Sequence, residues 1–523
     1  MIAEKIQSMP VTLSALIPDI DLPVNIGDLS ITSIVSDSRV VKKHSLFCGL
    51  SGAQFNSKRF VMEAARLGAA AIVVDADDVA SDDNTIDYVT CEQRVVPVIT
   101  VKKLREELSV IAGRFYDHPS KKICLVGVTG TNGKSSCVGL LVEIWKRFNV
   151  KAASIGTLGY GDNIDSLIGT GMTTPDTIDC QKILSTFYQD NMTHVAMEVS
   201  SHGIDQSRVA ALQFSIAIIT NITHDHLDYH ETIEEYVRVK SSFISAPEHD
   251  AAIVNADDPW CKKILENTTS QRTFSYSLKD TTADVYVTHA VYSVYGITAR
   301  ISTPWGSGLI RSRLVGEFNL SNLLAVITAV CVSGFSFQYA LNIISFIDAV
   351  PGRMQKVQPS KSQLADIHVS IDFAHTPDAL EKVIHTMRQF TDGELWVIFG
   401  CGGNRDRGKR SAMGRIVSMF ADKAIVTSDN PRNEDPQLII DDIVVGMESE
   451  APVVTLVDRE SAIAYAIKHA APGSAVLIAG KGHEAYQEIN GKKIAFDDAL
   501  ISQKYLDARI DLINSPSPNR VVT

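Results

Sequence analysis

KICLVGVTGTNGKSS, residues 122–136, reads as a hydrophobic strand that runs into a glycine-rich loop and then opens a helix. That helix carries Leu141, Ile144, Trp145 and Phe148 on one face. Strand, small-residue loop and helix in that order make a phosphate-binding loop. Backbone N–H groups of Gly130, Thr131, Asn132 and Gly133 can wrap phosphate oxygens, Lys134 can reach the terminal ones, and the Ser135 hydroxyl, followed by Ser136, suits Mg²⁺. ATP is the simplest ligand. The pattern departs from a strict G-x-x-x-x-G-K-[ST] loop at one position, where Val128 stands in place of the first glycine. The loop alone does not decide whether a phosphoryl group goes to water, a hydroxyl or a carboxylate.

Working outward, the same rhythm of short β-branched run, polar cluster and helix recurs, which is how parallel βαβ units read. HVAMEV (194–199), FSIAIIT (214–220) and AAIVN (251–255) continue the first series. A second series follows Val-Pro-Gly-Arg at 350–353: HVSIDF (368–373), ELWVIF (394–399), DKAIVT (422–427) and SAVLIA (474–479). Residues 1–101 form a third unit with strands such as AAAIVVD (69–75) and VPVIT (96–100), linked onward by the helical pattern VKKLREELSVIAGRFY. The expectation is an α/β protein of three domains, 1–101, 102–353 and 354–523. The tail NSPSPNRVVT should fray, and there is no internal repeat.

Composition agrees with a folded soluble chain: of 523 residues, 45% are hydrophobic and 21% charged. The net charge of −12 has the wrong sign for a surface that binds nucleic acid, so anionic ligands need local basic pockets. Eight cysteines without a C-x-x-C pair, and an N-terminus without an apolar signal region, point to reduced thiols in the cytoplasm. Phe318–Ile347 carries no formal charge, but polar residues interrupt it and Ser-Gly at 333–334 divides it into two buried amphipathic helices, so no membrane insertion is expected.

Chemistry-bearing residues gather just past strand ends, where open α/β sheets collect ligands. Glu198 and Ser200-Ser201-His202 follow one strand, and NITHDHLDYH (221–230) follows the next. Glu198 with a nearby imidazole can hold Mg²⁺. The His-Asp-His run invites zinc, but it lacks a spacing such as H-E-x-x-H. In the last unit GCGGNRDRGKR (400–410), SDNPRNEDP (428–436) and GKGHE (480–484) stand at three successive strand ends. The first brings Arg405, Arg407, Lys409 and Arg410 together, which suits phosphate or carboxylate.

Taken together, Asp37-Ser-Arg39, GTNGKSS, TTPD (173–176), MEVSSHGIDQSR (197–208), NITHDHLDYH, GEFNLSN (316–322), PGRMQ (351–355), DFAHTPDAL (372–380), GCGGNRDRGKR, DNPRNEDP and GKGHE resemble the Mur ligase family over nearly the whole chain. The resemblance implies a UDP-binding N-terminal domain, a central P-loop ATPase-like domain built on a parallel sheet, and a C-terminal Rossmann-like domain that binds the incoming amino acid. It implies amide formation in peptidoglycan precursor synthesis: ATP phosphorylates the D-glutamyl γ-carboxylate of UDP-MurNAc-L-Ala-D-Glu, and the amine of meso-diaminopimelate attacks the acyl phosphate. A monomer is the expected working unit.

Residue by residue, the resemblance implies that Lys134, Glu198, His226 and Lys240 serve catalysis. Lys240, in YVRVKSS, matches a lysine that the family carbamylates with CO₂, so Ser135, Glu198, His226 and the Lys240 carbamate become the metal side. Asn319, Asn322, Arg353, Asp372 and His375 match positions around the adenine nucleotide, with Phe373 standing where the family often has Tyr. Ser36, Ser38 and the turn Ala53-Gln54-Phe55 match the UDP-sugar side; Thr173, Thr174, Ser200, Gln206 and Arg208 match the muramoyl-peptide side. For the acceptor the matches are Arg405, Asp429, Asn430, Pro431, Arg432, Gly480 and Glu484: Arg432 with Arg405 for the distal carboxylate, Glu484 and the Gly480 backbone for the distal ammonium.

Three other readings compete. The same ligation with L-lysine differs only at the DNPR region. A P-loop switch that hydrolyses ATP predicts a separate switch region and no amino-acid pocket. A non-catalytic UDP-sugar binder gives Lys134 no task.

Overall fold

The computed structural model describes residues 10–50, 58–76, 84–92, 94–247, 249–268, 272–293, 295–360, 364–447 and 453–514. Three mixed sheets follow one another along the chain. The first has five strands in the order Ser33–Val35, Ser45–Gly49, Ala71–Asp75, Arg94–Val101 and Ile86–Cys91, the last pair antiparallel. Helix Leu104–Phe115 buries Leu104, Leu108, Ile111 and Phe115 in that unit's core, which also takes in Ile178 of the next. Its Ser109 is a joint: the carbonyl accepts Gln181 Nε2 at 3.3 Å and the hydroxyl accepts the Ala211 N–H at 2.9 Å.

The central sheet has ten strands, with the loop strand Cys124–Thr129 between His194–Glu198 and Ile216–Ile219, all parallel. Because Glu198 pairs with Val128 and Ile219 with Thr129, the three strands stop level and their following loops open at one edge. Val128 is wholly buried in this sheet. The residue at the first-glycine position is therefore a strand residue facing the core, which accounts for the departure from the strict loop pattern.

The uncharged stretch does form two helices, Glu317–Val332 and Phe337–Ile344, broken at Ser333-Gly334 with Gly334 at φ +88°. The first differs from the expected amphipathic pattern: Leu320 to Val330 is buried on nearly every side, clamped between the sheet and helix Lys134–Arg147. A helix apolar all round belongs in an interior. Among the described residues no helix is long and apolar enough to cross a membrane. One addition was not expected: Val285–Ser293, Gly296–Thr303 and Gly306–Ser312 extend the sheet as an antiparallel meander.

The third sheet runs Gln355–Val357, His368–Asp372, Ala475–Ala479, Leu395–Phe399, Lys423–Thr427, Val453–Leu456, parallel except for its first strand. Four neighbouring strand ends therefore present Asp372, Gly480, Gly400 and Ser428 side by side. Beneath them Arg459 and Asp498, neither exposed at all, pair through Nε–Oδ1 at 2.9 Å and Nη2–Oδ2 at 2.8 Å, and Nη2 also donates to Ala479 O. Removing one partner of such a pair strands the other's charge, so Arg459→Ala should cost about 3 kcal/mol or more. Urea unfolding checks this: the midpoint should fall at constant slope, and an Arg459→Met/Asp498→Leu double variant should recover most of the loss. All eight cysteines are free; seven are buried and Cys124 is half-buried.

Candidate active site

Gly130 and Gly133 take φ of +138° and +89°, and a Cβ at Gly130 would overlap Thr220 Oγ1 while one at Gly133 would lie 2.6 Å from Asn322 Oδ1. The loop's glycines are thus demanded by both torsion and space. The neighbouring strand end braces the loop: the Thr131 N–H donates to Asn221 O at 2.8 Å, the Asn132 N–H to Asn221 Oδ1 at 3.0 Å, and Thr220 Oγ1 to Asn132 O at 2.6 Å. Lys134 curls back, its Nζ donating to Gly130 O and Thr131 O, both at 2.9 Å. Burial lowers its pKa, while Glu198 and Asp225 oppose the shift.

Lys240 lies beneath the same loop. Its helix, Ile233–Ile244, starts at Thr232, whose hydroxyl accepts the Glu235 N–H. The ammonium is 1% exposed, donates to Gly130 O at 3.0 Å and Thr129 Oγ1 at 3.3 Å, and stands over the Tyr236 ring. Burial first, then Lys134 beside it, push this amine well below the usual lysine range. Glu198 is buried across the loop, its Oε1 accepting the Thr157 N–H at 2.9 Å and its Oε2 the Thr157 hydroxyl at 3.2 Å. Gly156 makes room for it, since a Cβ there would overlap Oε1.

His226, at φ +56°, has Nε2 3.4 Å from Asp225 Oδ2 and its ring edge-on to His202; burial pulls the imidazole down to about 4 against the opposing Asp225. Burial also raises Asp225, but His226, His375, Lys134 and Lys409 outweigh it and hold the carboxyl low.

At the end of the central unit, Arg353 donates Nη2 to Ser135 Oγ at 2.8 Å, its guanidinium lies 4.5 Å from the Phe373 ring centre, and its buried Nε has no partner among the described residues. Asp372 accepts the N–H groups of Met354 and Ala374 at 2.7 and 2.8 Å. His375 Nδ1 meets Phe373 O at 2.9 Å, and Asn132 Nδ2 donates to Asp378 at 3.1 Å. Asn319 and Asn322 sit in the first turns of helix Glu317–Val332, with Nδ2 of Asn319 on Val315 O.

These elements enclose one cavity of about 1060 Å³, lined by Thr131 to Ser136, Thr173, Glu198, Asn322, Arg353, Asp372 and His375, among others. The structure thus brings twelve expected residues to one wall. Gly130, Lys240, His226 and Asn319 stand behind or beside that wall. The residues expected on the muramoyl-peptide side form an adjoining network: Thr174 Oγ1 donates to Glu198 O at 2.9 Å, Ser200 Oγ caps helix Ser201–Asp205, and Arg208 donates to Thr174 O at 2.7 Å and Gln206 Oε1 at 2.6 Å. Ser36 and Ser38 lie apart on the N-terminal sheet's edge, where Ser38 donates to Glu63 at 2.5 Å. Ala53, Gln54 and Phe55 fall outside the described residues.

The acceptor set is together but away from the cavity wall. Asn430 Nδ2 donates to Glu484 Oε2 at 2.7 Å, and a Cβ at Gly480 would lie 2.5 Å from Asp429 Oδ2. Pro431 O abuts Gly403, and Arg432 Nη1 donates to Gly403 O at 2.8 Å. Arg405 is exposed in the same loop. Two of the four loop cations are structural rather than ligand-facing: Arg410, fully buried, and Arg407 both pair with Glu434, whose carboxyl they and the Asn404 N–H hold at about 2.

Sequence reasoning passed over Asp225, Thr157 and Lys481. Asp225 carried a signal, an Asp between two His at a strand end. Lys481, unexposed, donates to Glu484 Oε2 at 3.0 Å and Asn430 Oδ1 at 3.1 Å. Only its place in GKGHE hinted at it.

With nucleotide-loop, acidic and basic residues converging from two α/β units, the chain belongs to the Mur ligase family. Residues 30–116 match the family's catalytic domain, 128–330 its middle domain and 352–482 its glutamate ligase domain. The UDP-N-acetylmuramoyl-L-alanyl-D-glutamate–2,6-diaminopimelate ligases of Ectopseudomonas mendocina and Pseudomonas aeruginosa are each 39% identical to it over 96% of this chain and 99% of theirs. A solved ligase of the same description is 31% identical, with a TM-score of 0.68 over 96% of this chain and 100% of that one. MurF from Acinetobacter baumannii shares the fold at 16% identity, covering 97% of this chain and 99% of its own, with a TM-score of 0.62.

Proposed function

We propose that this chain is an ATP-dependent amide ligase that joins meso-diaminopimelate to the D-glutamyl γ-carboxylate of UDP-MurNAc-L-Ala-D-Glu, releasing the UDP-MurNAc-tripeptide, ADP and phosphate. The observation that carries the reading is the single cavity where the phosphate loop, Glu198 and Arg353 face one another. The relatives named above support the substrates. Residues 1–101, 102–353 and 354–523 are then the UDP, ATP and amino-acid units, with helix Leu104–Phe115 linking the first two. Eight unpaired cysteines suit a cytoplasmic site of action.

A carboxylate becomes electrophilic only when one oxygen is made a leaving group, and the acyl phosphate survives only where water is kept out. Bringing an anionic phosphoryl group to an anionic carboxylate needs positive charge at both. Lys134 would leave Gly130 O and Thr131 O for the phosphate oxygens, and Arg353 Nε supplies a buried donor that lacks a partner among the described residues. The acceptor amine attacks the acyl carbon, phosphate departs, and a proton is lost from nitrogen.

The donor chemistry suits Mg²⁺: Ser135 and Glu198 offer hard oxygens, and among the described residues no group of three or more His, Cys, Asp or Glu could make an all-protein metal cage. Bound there, Mg²⁺ supplies charge against the phosphate oxygens. Lys240 completes the set as a carbamate. An amine must shed its proton to attack CO₂, and burial favours that neutral form; one N–H stays on nitrogen and can keep the Gly130 O bond.

For the acceptor, Arg432 would take the distal carboxylate that lysine lacks. Arg432→Ala should lower kcat/KM for diaminopimelate by about 10²-fold while leaving ATP and UDP-substrate KM values and the slow use of lysine unchanged. An unaltered diaminopimelate-to-lysine preference in competition assays would refute the assignment. The ligase reading itself is tested by phosphate release with UDP-MurNAc-L-Ala-D-Glu and ATP, offering diaminopimelate, lysine or ornithine. Release should require diaminopimelate; release without any acceptor favours the ATPase switch.

A further inference from the structure

The arginine assigned to the acceptor carboxylate is held by a residue that belongs to none of the motifs. Arg432 sits at φ +52°, its N–H donating to Glu488 O at 2.9 Å and its carbonyl accepting the Asn490 N–H at 2.7 Å. These bonds fasten the DNPR loop to the hairpin of strands Tyr486–Ile489 and Lys492–Ala495. The Glu488 side chain returns to the same arginine, with Oε2 3.2 Å from Nε. On the other side Nη1 donates to Gly403 O at 2.8 Å. One guanidinium nitrogen is therefore hydrogen-bonded and a second is ion-paired. Nη2 makes no hydrogen bond among the described residues. The Glu488 N–H also donates to Asn430 Oδ1 at 2.9 Å, and Asn430 in turn donates to Glu484 Oε2.

We propose that Glu488 is a positioning residue for acceptor choice: it fixes the plane of the Arg432 guanidinium so that the Nη2 edge meets the distal carboxylate of a diamino dicarboxylic acid. The inference rests on the ligase reading above. A long, partly exposed arginine without an anchor populates several rotamers, and a two-point grip on a carboxylate needs one of them. Glu488 also places a negative charge near the incoming carboxylate, but that repulsion acts at a site open enough to be screened, whereas orientation is needed in full. Because the main-chain bonds from Glu488 to Arg432 do not involve its side chain, truncation leaves the loop fastened.

Steady-state kinetics of Glu488→Ala, Glu488→Asp and Glu488→Gln, with saturating ATP and UDP-MurNAc-L-Ala-D-Glu, read the effect. Glu488→Ala should raise the KM for diaminopimelate about tenfold, with kcat within about twofold, the other two KM values unchanged and lysine use unaltered. Glu488→Asp, which withdraws the carboxylate by one methylene but keeps its charge, should show a smaller rise in the same constant. Glu488→Gln, which removes the charge that pairs with Nε, should raise it nearly as far as Glu488→Ala. An unchanged or lower diaminopimelate KM in Glu488→Ala overturns the proposal, as does a parallel rise for all three substrates. Wild type in the same assay separates the levels: if it never uses diaminopimelate, the ligase reading falls and this inference with it. Normal wild-type use with an unaffected Glu488→Ala sinks the inference alone.

Discussion

Lys134→Ala should fold like wild type and release phosphate at least about 10³-fold more slowly. In the structure the ammonium bridges two carbonyls of its own loop, Gly130 and Thr131, so its removal costs the fold two hydrogen bonds within the loop and breaks no ion pair among the described residues. The loop's shape is kept instead by Asn221, Thr220 and the two glycines. Loss of function with the thermal midpoint nearly intact is therefore the expected pair of results. Binding of ATP should weaken far less than turnover, because backbone N–H groups still meet the phosphates while the charge that grows during transfer goes unanswered. Near-normal phosphate release from the folded variant would sink the phosphate-loop assignment.

Lys240→Ala is expected to lose activity by about 10²-fold or more, and to regain part of it in millimolar formate or acetate. A small carboxylate can enter the space the side chain vacates and replace the two oxygens that a carbamate contributes. An unmodified amine would give a different outcome: deleting it would cost only its hydrogen bonds to Gly130 O and Thr129 Oγ1, and an added anion would bring no benefit. Mass spectrometry of native protein under CO₂, expecting a 44 Da gain on this lysine from general carbamate chemistry, gives a second readout that is independent of turnover. Absence of both rescue and adduct would leave Lys240 a structural amine bound to Gly130 O.

Much of this was legible in the primary structure because parallel strands buried on both faces read as short continuous apolar runs, and each run here ends in a polar cluster. His194–Glu198, Ile216–Ile219 and Ala475–Ala479 lie within the runs expected, and Cys124–Thr129 extends one residue past the run expected over 122–128. The meander over 285–312 escaped notice because its strands alternate and have no helices between them, so it lacks the rhythm that revealed the rest. Which charges face a ligand was the other illegible element. Arg410 looked like an anion binder until the fold brought Glu434 and Asp442 onto it from the next βα loop and helix. Lys481 on Asn430, Glu488 on Arg432 and Glu63 on Ser38 are likewise pairings made by tertiary approach, which spacing along a chain does not encode. The phosphate loop escaped this difficulty because its chemistry is carried by consecutive backbone groups.

The unpaired cysteines bear on how such an enzyme can be attacked. Burial raises the thiols of Cys48, Cys137, Cys180, Cys261, Cys331 and Cys401, the last two to about 12, so at neutral pH they are held as protonated S–H groups rather than nucleophilic thiolates. None of them lines the cavity at the phosphate loop. Peroxides and maleimide- or acrylamide-type electrophiles find little to react with at these six positions while the chain stays folded, so an inhibitor seated in that cavity gains its hold from shape and charge rather than from a sulfur-seeking warhead.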